Sequence, residues 1–82
     1  MRHDELLRRI WSNPKTFGGK PTVRDTRISV ALVIGMMAAG ETVESLLDEY
    51  PGLEPDDIRA CLAYAYALVE NTSIDAVQVV PA

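Results

Sequence analysis

The sequence predicts a mainly α domain: a three-helix, helix-turn-helix-like core behind an N-terminal helical arm and a small β-hairpin. Three observations carry this. Apolar residues recur at helical spacing in three stretches after Ser29. Serine, threonine and proline stand where helices start, and Gly40 and Pro51-Gly52 where they stop. Before those helices, two short β-branched runs flank Arg24-Asp25. The 82 residues make one domain, read as an arm (1–16), a hairpin (17–30), a helical core (29–70) and a tail (71–82).

In the arm, Leu6, Leu7, Ile10 and Trp11 repeat at helical spacing with Arg8 and Arg9 opposite, which predicts a helix over residues 4–12. Trp11 is expected to anchor the arm. Asn13-Pro14 ends the helix, because the residue before proline avoids the α region. Gly18-Gly19 then bends the chain. Pro21-Thr22-Val23 and the run from Thr26 to Val30 read as the two hairpin strands. Asp25 is expected to take the left-handed turn position between them.

Ser29 is placed to cap a helix that runs to Ala39, with Gly40 as its stop. That helix, VALVIGMMAA, is apolar on every side, the pattern of a buried helix. So short a chain buries only about 60–65% of its unfolded surface, and a single layer of neighbours hardly covers such a helix. With one cysteine, a disulfide within the chain is excluded as reinforcement, which leaves oligomerisation. A homodimer is the expectation, with Val30, Val33, Ile34 and Met37 as candidate interface residues.

Thr42 caps the second helix, with Val43, Leu46, Leu47 and Tyr50 inward. Pro55 opens the third, with Asp56 and Asp57 in the first turn, where the helix dipole favours acids. Ile58, Cys61, Leu62, Ala65, Leu68 and Val69 form its expected inner face. Ala60, Ala63, Tyr64 and Ala67 form a second face of mostly small residues, suited to contact with another chain; Tyr64 and Ala67 join the candidate interface. Cys61 reads as a small buried apolar residue. Residues 74–80 have strand-forming composition and read as an added strand, a partner-binding tail or a frayed end.

Charge is distributed unevenly. Met1 to Arg27 holds seven of the eight Lys/Arg and three acids, net +4; the remainder holds one base and nine acids, net −8. Such asymmetry points to an electrostatic partner, or to a basic half facing the acidic half of its own fold or of a second subunit.

No catalytic constellation is visible. His3 is the sole histidine, so neither a Ser–His nor a Cys–His pair can form, and no zinc site of ordinary spacing can be drawn. The pairs Glu44/Asp48 and Asp56/Asp57 fit solvated helix surfaces and helix starts. Gly18-Gly19-Lys20 lacks the GxxxxGK[ST] pattern. The expectation is a non-enzymatic protein without metal or cofactor. No apolar run reaches the ~20 residues that span a bilayer, and MRHDELLRRIW lacks the form of a signal peptide, which together suggest a cytoplasmic protein.

The last two helices with their four-residue link, Pro51 to Glu54, match a helix-turn-helix layout. The surface that would then enter a DNA groove carries Asp56, Asp57 and Arg59, a poor match to phosphates. Charge for double-stranded DNA would have to come from the hairpin and the N-terminal arm. Lys20, Arg24 and Arg27 on a basic ribbon, with Arg59 of the third helix, are the candidate DNA-binding residues.

The segments RIWSNPKTFGGKPTVRDTRISV and MMAAGETVESLLDEYPGLEPDDIRACLAYA together resemble the domain-of-unknown-function 433 family. The resemblance runs from about Arg9 to about Tyr66. It rests on the GGKP…TRI…V half followed by the YP-x-L half, with DIRACLAYA at the place of the family's closing D-I-x-x-A-L-x-Y-A helix. It implies a prokaryotic, homeodomain-like bundle of the antitoxin type, encoded beside a PIN-like ribonuclease toxin, with autoregulatory DNA binding as an accompanying role. A dimeric protein–protein module without a DNA role is the alternative. Two departures from the family pattern stand out: Asp25 replaces the turn glycine, and Glu54 replaces the usual Thr or Ser cap.

Overall fold

The computed structural model describes residues 2–71. The expectation placed on residues 74–80 lies outside them. The elements are α1 (His3–Leu7), β1 (Ile10–Ser12), a 3-10 turn (Phe17–Gly19), β2 (Pro21–Val23), α2 (Val30–Ala38), α3 (Val43–Glu49) and α4 (Pro55–Asn71). The mainly helical class with a small antiparallel ribbon is as expected.

The three core helices start where local chemistry starts them. The Ser29 hydroxyl accepts from the Leu32 N–H at 3.0 Å, and Gly40 closes α2 at φ 103°, a backbone state that costs glycine nothing. Thr42 and Ser45 form a reciprocal capping box that opens α3. Pro55 begins α4.

The ribbon is built differently from the expected hairpin. The arm helix ends at Leu7, and Ile10–Ser12 is strand, pairing antiparallel with β2 in the register Ile10↔Val23, Trp11↔Thr22, Ser12↔Pro21. Ile10 and Trp11 are as suited to a strand as to a helix, and pairing with β2 decides between the two. The Thr26–Val30 side of the expected hairpin contributes one bridge, Thr22↔Ser29, and a bond from the Val23 N–H to the Ile28 carbonyl at 2.8 Å. Its turn places Arg24, not Asp25, in the left-handed region, at φ 45°.

The core is a cluster of Val23, Val30, Val33, Leu46, Leu53, Ile58 and Cys61. Full burial of a side chain such as Leu46 contributes about 1.5–3 kcal/mol. A second cluster joins Leu6 of α1 to Ala60 and Ala63 of α4, with Ile10 packed against both clusters. The small-residue face of α4 thus receives the chain's own arm. Small side chains let the short helix lie close, so Ala60 and Ala63 are not available to another chain. Val30 and Val33, candidates for a dimer interface, are likewise core residues at 5% and 1% exposure. On α4, Leu62, Leu68 and Val69 face outward, contrary to expectation. Among the described residues no helix is long and apolar enough to cross a membrane.

Candidate functional site

The strongest concentration of charge chemistry is at the start of α4. Glu54 occupies the N-cap position, and Asp57, three residues on, accepts the Glu54 backbone N–H at 2.8 Å through Oδ2. Arg24 meets the same carboxylate with two prongs, Nε to Oδ1 at 3.0 Å and Nη2 to Oδ2 at 2.7 Å, and Nη2 also donates to the Gly52 carbonyl at 2.9 Å. From the other side, Arg9 donates through Nη1 to Asp57 Oδ1 at 3.0 Å and to Glu54 Oε1 at 2.7 Å. Asp57 is fully buried, and every buried side-chain polar atom among the described residues has a partner.

Burial alone would push the Asp57 carboxyl up. Hydrogen bonds from Arg24, from the Glu54 backbone and from Arg9 outweigh it and hold the carboxyl below its ordinary 3.8. Arg9 is pushed up by its bonds to Glu54 and Asp57, and Arg24 by its bonds to Asp57; burial opposes both shifts. The bidentate fork explains why a non-glycine residue tolerates a left-handed backbone at position 24: the charge-assisted pair over-determines it. This clasp ties the arm, the ribbon turn and α4 together. Asp57, expected on a solvated helix start, is its centre.

The candidate DNA-binding residues therefore separate. Arg24 belongs to the clasp. Arg59 is exposed but lies 3.4 Å from Asp56 on its own helix. Lys20 and Arg27 are exposed and have no ion-pair partner among the described residues. The remaining interface candidates are half-buried. Ile34 and Met37 pack at the edge of the core, while Tyr64 and Ala67 line an open groove of about 300 Å³ with Leu7, Ile10, Leu68 and Asn71. A second groove of about 380 Å³ runs along the other side of α1, between His3, Leu6, Arg59, Leu62, Ala63 and Tyr66.

Leu62, Tyr66 and Val69 share one helix face at i, i+4 and i+7, with exposures of 46%, 56% and 62%. Helical spacing puts Leu62 and Val69 on the inner face instead, because α4 carries apolar residues around most of its circumference. The clasp gave no local signal, since its members are 33 and 48 residues apart. Trp11, expected to anchor the arm, is half exposed. Cys61 is buried, as expected, and burial pushes its thiol up to about 12. Among the described residues no group of three His, Cys, Asp or Glu side chains is placed to hold a metal.

The model of the family "Protein of unknown function (DUF433)" matches residues 10–65. The chain is 41% identical over 58 residues to "Uncharacterized protein y4eO" of Sinorhizobium fredii, covering 71% of this chain and 26% of that protein. It is similar in structure to a DUF433 member from Anabaena variabilis, with a TM-score of 0.73 and 31% identity over 82% of this chain and 66% of that one. The chain spans about a quarter of the curated relative's length and about two thirds of the solved one. The family model covers both ribbon strands, the clasp residues Arg24, Glu54 and Asp57, and the first two thirds of α4, and on that match the chain belongs to the DUF433 family.

Proposed function

We propose that this chain is a non-enzymatic, antitoxin-type regulator that acts by covering a basic partner protein, such as a PIN-like ribonuclease, with the outward face of α4. The observation that carries this reading is the stripe Leu62, Tyr66 and Val69, three large apolar side chains exposed on one helix face. Its electrostatic setting supports it. From Glu41 to Asn71 there are eight acids and one arginine, and a nuclease surface that holds RNA is basic. Apolar anchors surrounded by charge of the opposite sign to the partner's are what a selective protein interface requires. A homodimer through the outer side of α2 belongs to the same proposal. Residues 30–39 carry no charge at all, and Leu32 among them is exposed. Operator DNA is the weaker component, because Arg24 is spent on Asp57 and Arg59 sits beside Asp56.

Co-expression of the chain with the product of the neighbouring open reading frame tests the proposal. Co-purification and restored growth are expected. Leu62→Glu and Val69→Glu, both on exposed positions, should abolish co-purification while changing stability by no more than about 0.5 kcal/mol. Neither co-purification nor rescue by the wild-type chain would overturn the reading.

A further inference from the structure

One patch takes no part in the core, the clasp or the α4 stripe. The connection between β1 and β2 is closed by its own hydrogen bonds: Thr16 N–H to the Asn13 carbonyl, Gly19 N–H to Thr16, Lys20 N–H to Phe17, and the Ser12 hydroxyl to the Gly19 carbonyl at 2.6 Å. An Asx turn adds the Lys15 N–H to Asn13 Oδ1 at 2.9 Å. Backbone bonds thus set its shape, and its large side chains are left outside. Phe17 is 46% exposed and sits at φ 51°, an uncommon state for an aromatic residue. Trp11 is 50% exposed, and its indole N–H donates to the Arg8 carbonyl at 3.1 Å, which fixes the ring's orientation. Neither ring belongs to either core cluster.

The charge next to these rings in the chain is of one sign. Arg8, Lys15 and Lys20 are exposed and unpaired among the described residues, and no acid lies between Leu6 and Arg24. Two exposed aromatic rings, alternating along the chain with unpaired cations, match a chain of exposed bases carried on phosphates. We propose that the β1–β2 connection is a short single-stranded nucleic-acid site, in which Trp11 and Phe17 stack on bases while Lys15 and Lys20 meet the phosphates. A duplex fits less well. Its bases are stacked on one another and closed to both rings, and a few cations neutralise few phosphates. An acidic polypeptide would satisfy the lysines but has no planar groups for both rings. The site uses none of the α4 residues and does not rest on the partner-binding reading.

Trp11 is the sole tryptophan of the chain, so its fluorescence reports the site directly. The full chain is titrated at low salt with an oligo-dT octamer, an oligo-U octamer, a duplex of the same length, poly-glutamate and heparin. Saturable quenching by the single strands is expected, with affinity at least tenfold above the duplex and poly-glutamate. Trp11→Ala and Phe17→Ala, followed by anisotropy of a labelled octamer, should each weaken binding about tenfold. Lys15→Gln with Lys20→Gln should flatten the slope of log K against log salt by about 1.4, from about 0.7 per phosphate contact. Far-UV circular dichroism checks that each variant is folded. Absence of quenching by either octamer at millimolar concentration would overturn the proposal. So would tighter binding of the duplex, equal binding of poly-glutamate, or heparin-like binding that Trp11→Ala leaves unchanged.

Discussion

Two sets of cations lie within twenty residues of each other and have opposite fates. Arg9 and Arg24 converge on a fully buried carboxylate, whereas Lys15, Lys20 and Arg27 stand in water with no ion-pair partner among the described residues. In the sequence they form a single basic cluster. The difference lies in what each can reach. The two arginines flank the ribbon at its α4 end, where Asp57 is presented by the first turn of the helix, and a planar guanidinium suits a two-pronged approach to a carboxylate. Arg27 lies beyond the turn and the lysines at the far end of the ribbon, and none of them forms an ion pair among the described residues. A local excess of positive charge is therefore no measure of the charge available to a partner. The acidic half of the fold takes up part of it.

The largest test of this contrast is Asp57→Asn. It leaves two arginines around a neutral buried amide. Breaking a buried pair costs about 3–5 kcal/mol, and the lower end is expected here because both arginines keep part of their surface in water. Urea denaturation measures it. A loss below about 1 kcal/mol would mean that the clasp does not hold the fold together.

Next in size is the comparison of Arg24→Gln with Arg27→Gln. The first removes charge-assisted bonds to Asp57 and should cost about 2 kcal/mol; the second should stay within about 0.5 kcal/mol. Equal effects would erase the distinction between the two sets.

Acid provides a smaller, graded test. The folded pKa of Asp57 is depressed below 3.8, so its contribution to stability is fully present above the unfolded value and is lost as pH falls through the folded one. Wild-type stability should decline more steeply below about pH 4 than that of Asp57→Asn, which lacks this titration. Parallel curves for the two proteins would contradict the depressed pKa.

Much of the core was legible in the sequence because its signals are local. Ser29, Thr42 and Pro55 begin their helices, and Gly40 ends one, through bonds and backbone preferences that act within four residues. The inward set of α3 and the burial of Cys61 follow from helical spacing. Residues 8–12 depart from the expected helix for the converse reason. Their apolar spacing is consistent with a helix, and pairing to β2, nine to thirteen positions away, makes Ile10–Ser12 a strand. The same holds for the candidate sites. Lys20 and Arg27 are exposed as a binding role requires, while Arg24, Val30 and Val33 have structural roles.

The sequence by itself determined the mainly helical class, the limits of three helices, the family and the separation of charge into a basic front and an acidic remainder. Those properties depend on neighbours in the chain, or on motifs read in order. Tertiary structure alone decided which cations remain free, which face of α4 stays open, and that the arm covers the small-residue face. Each of these is a contact between segments tens of residues apart, and its energy depends on which groups the fold brings within hydrogen-bond or van der Waals distance.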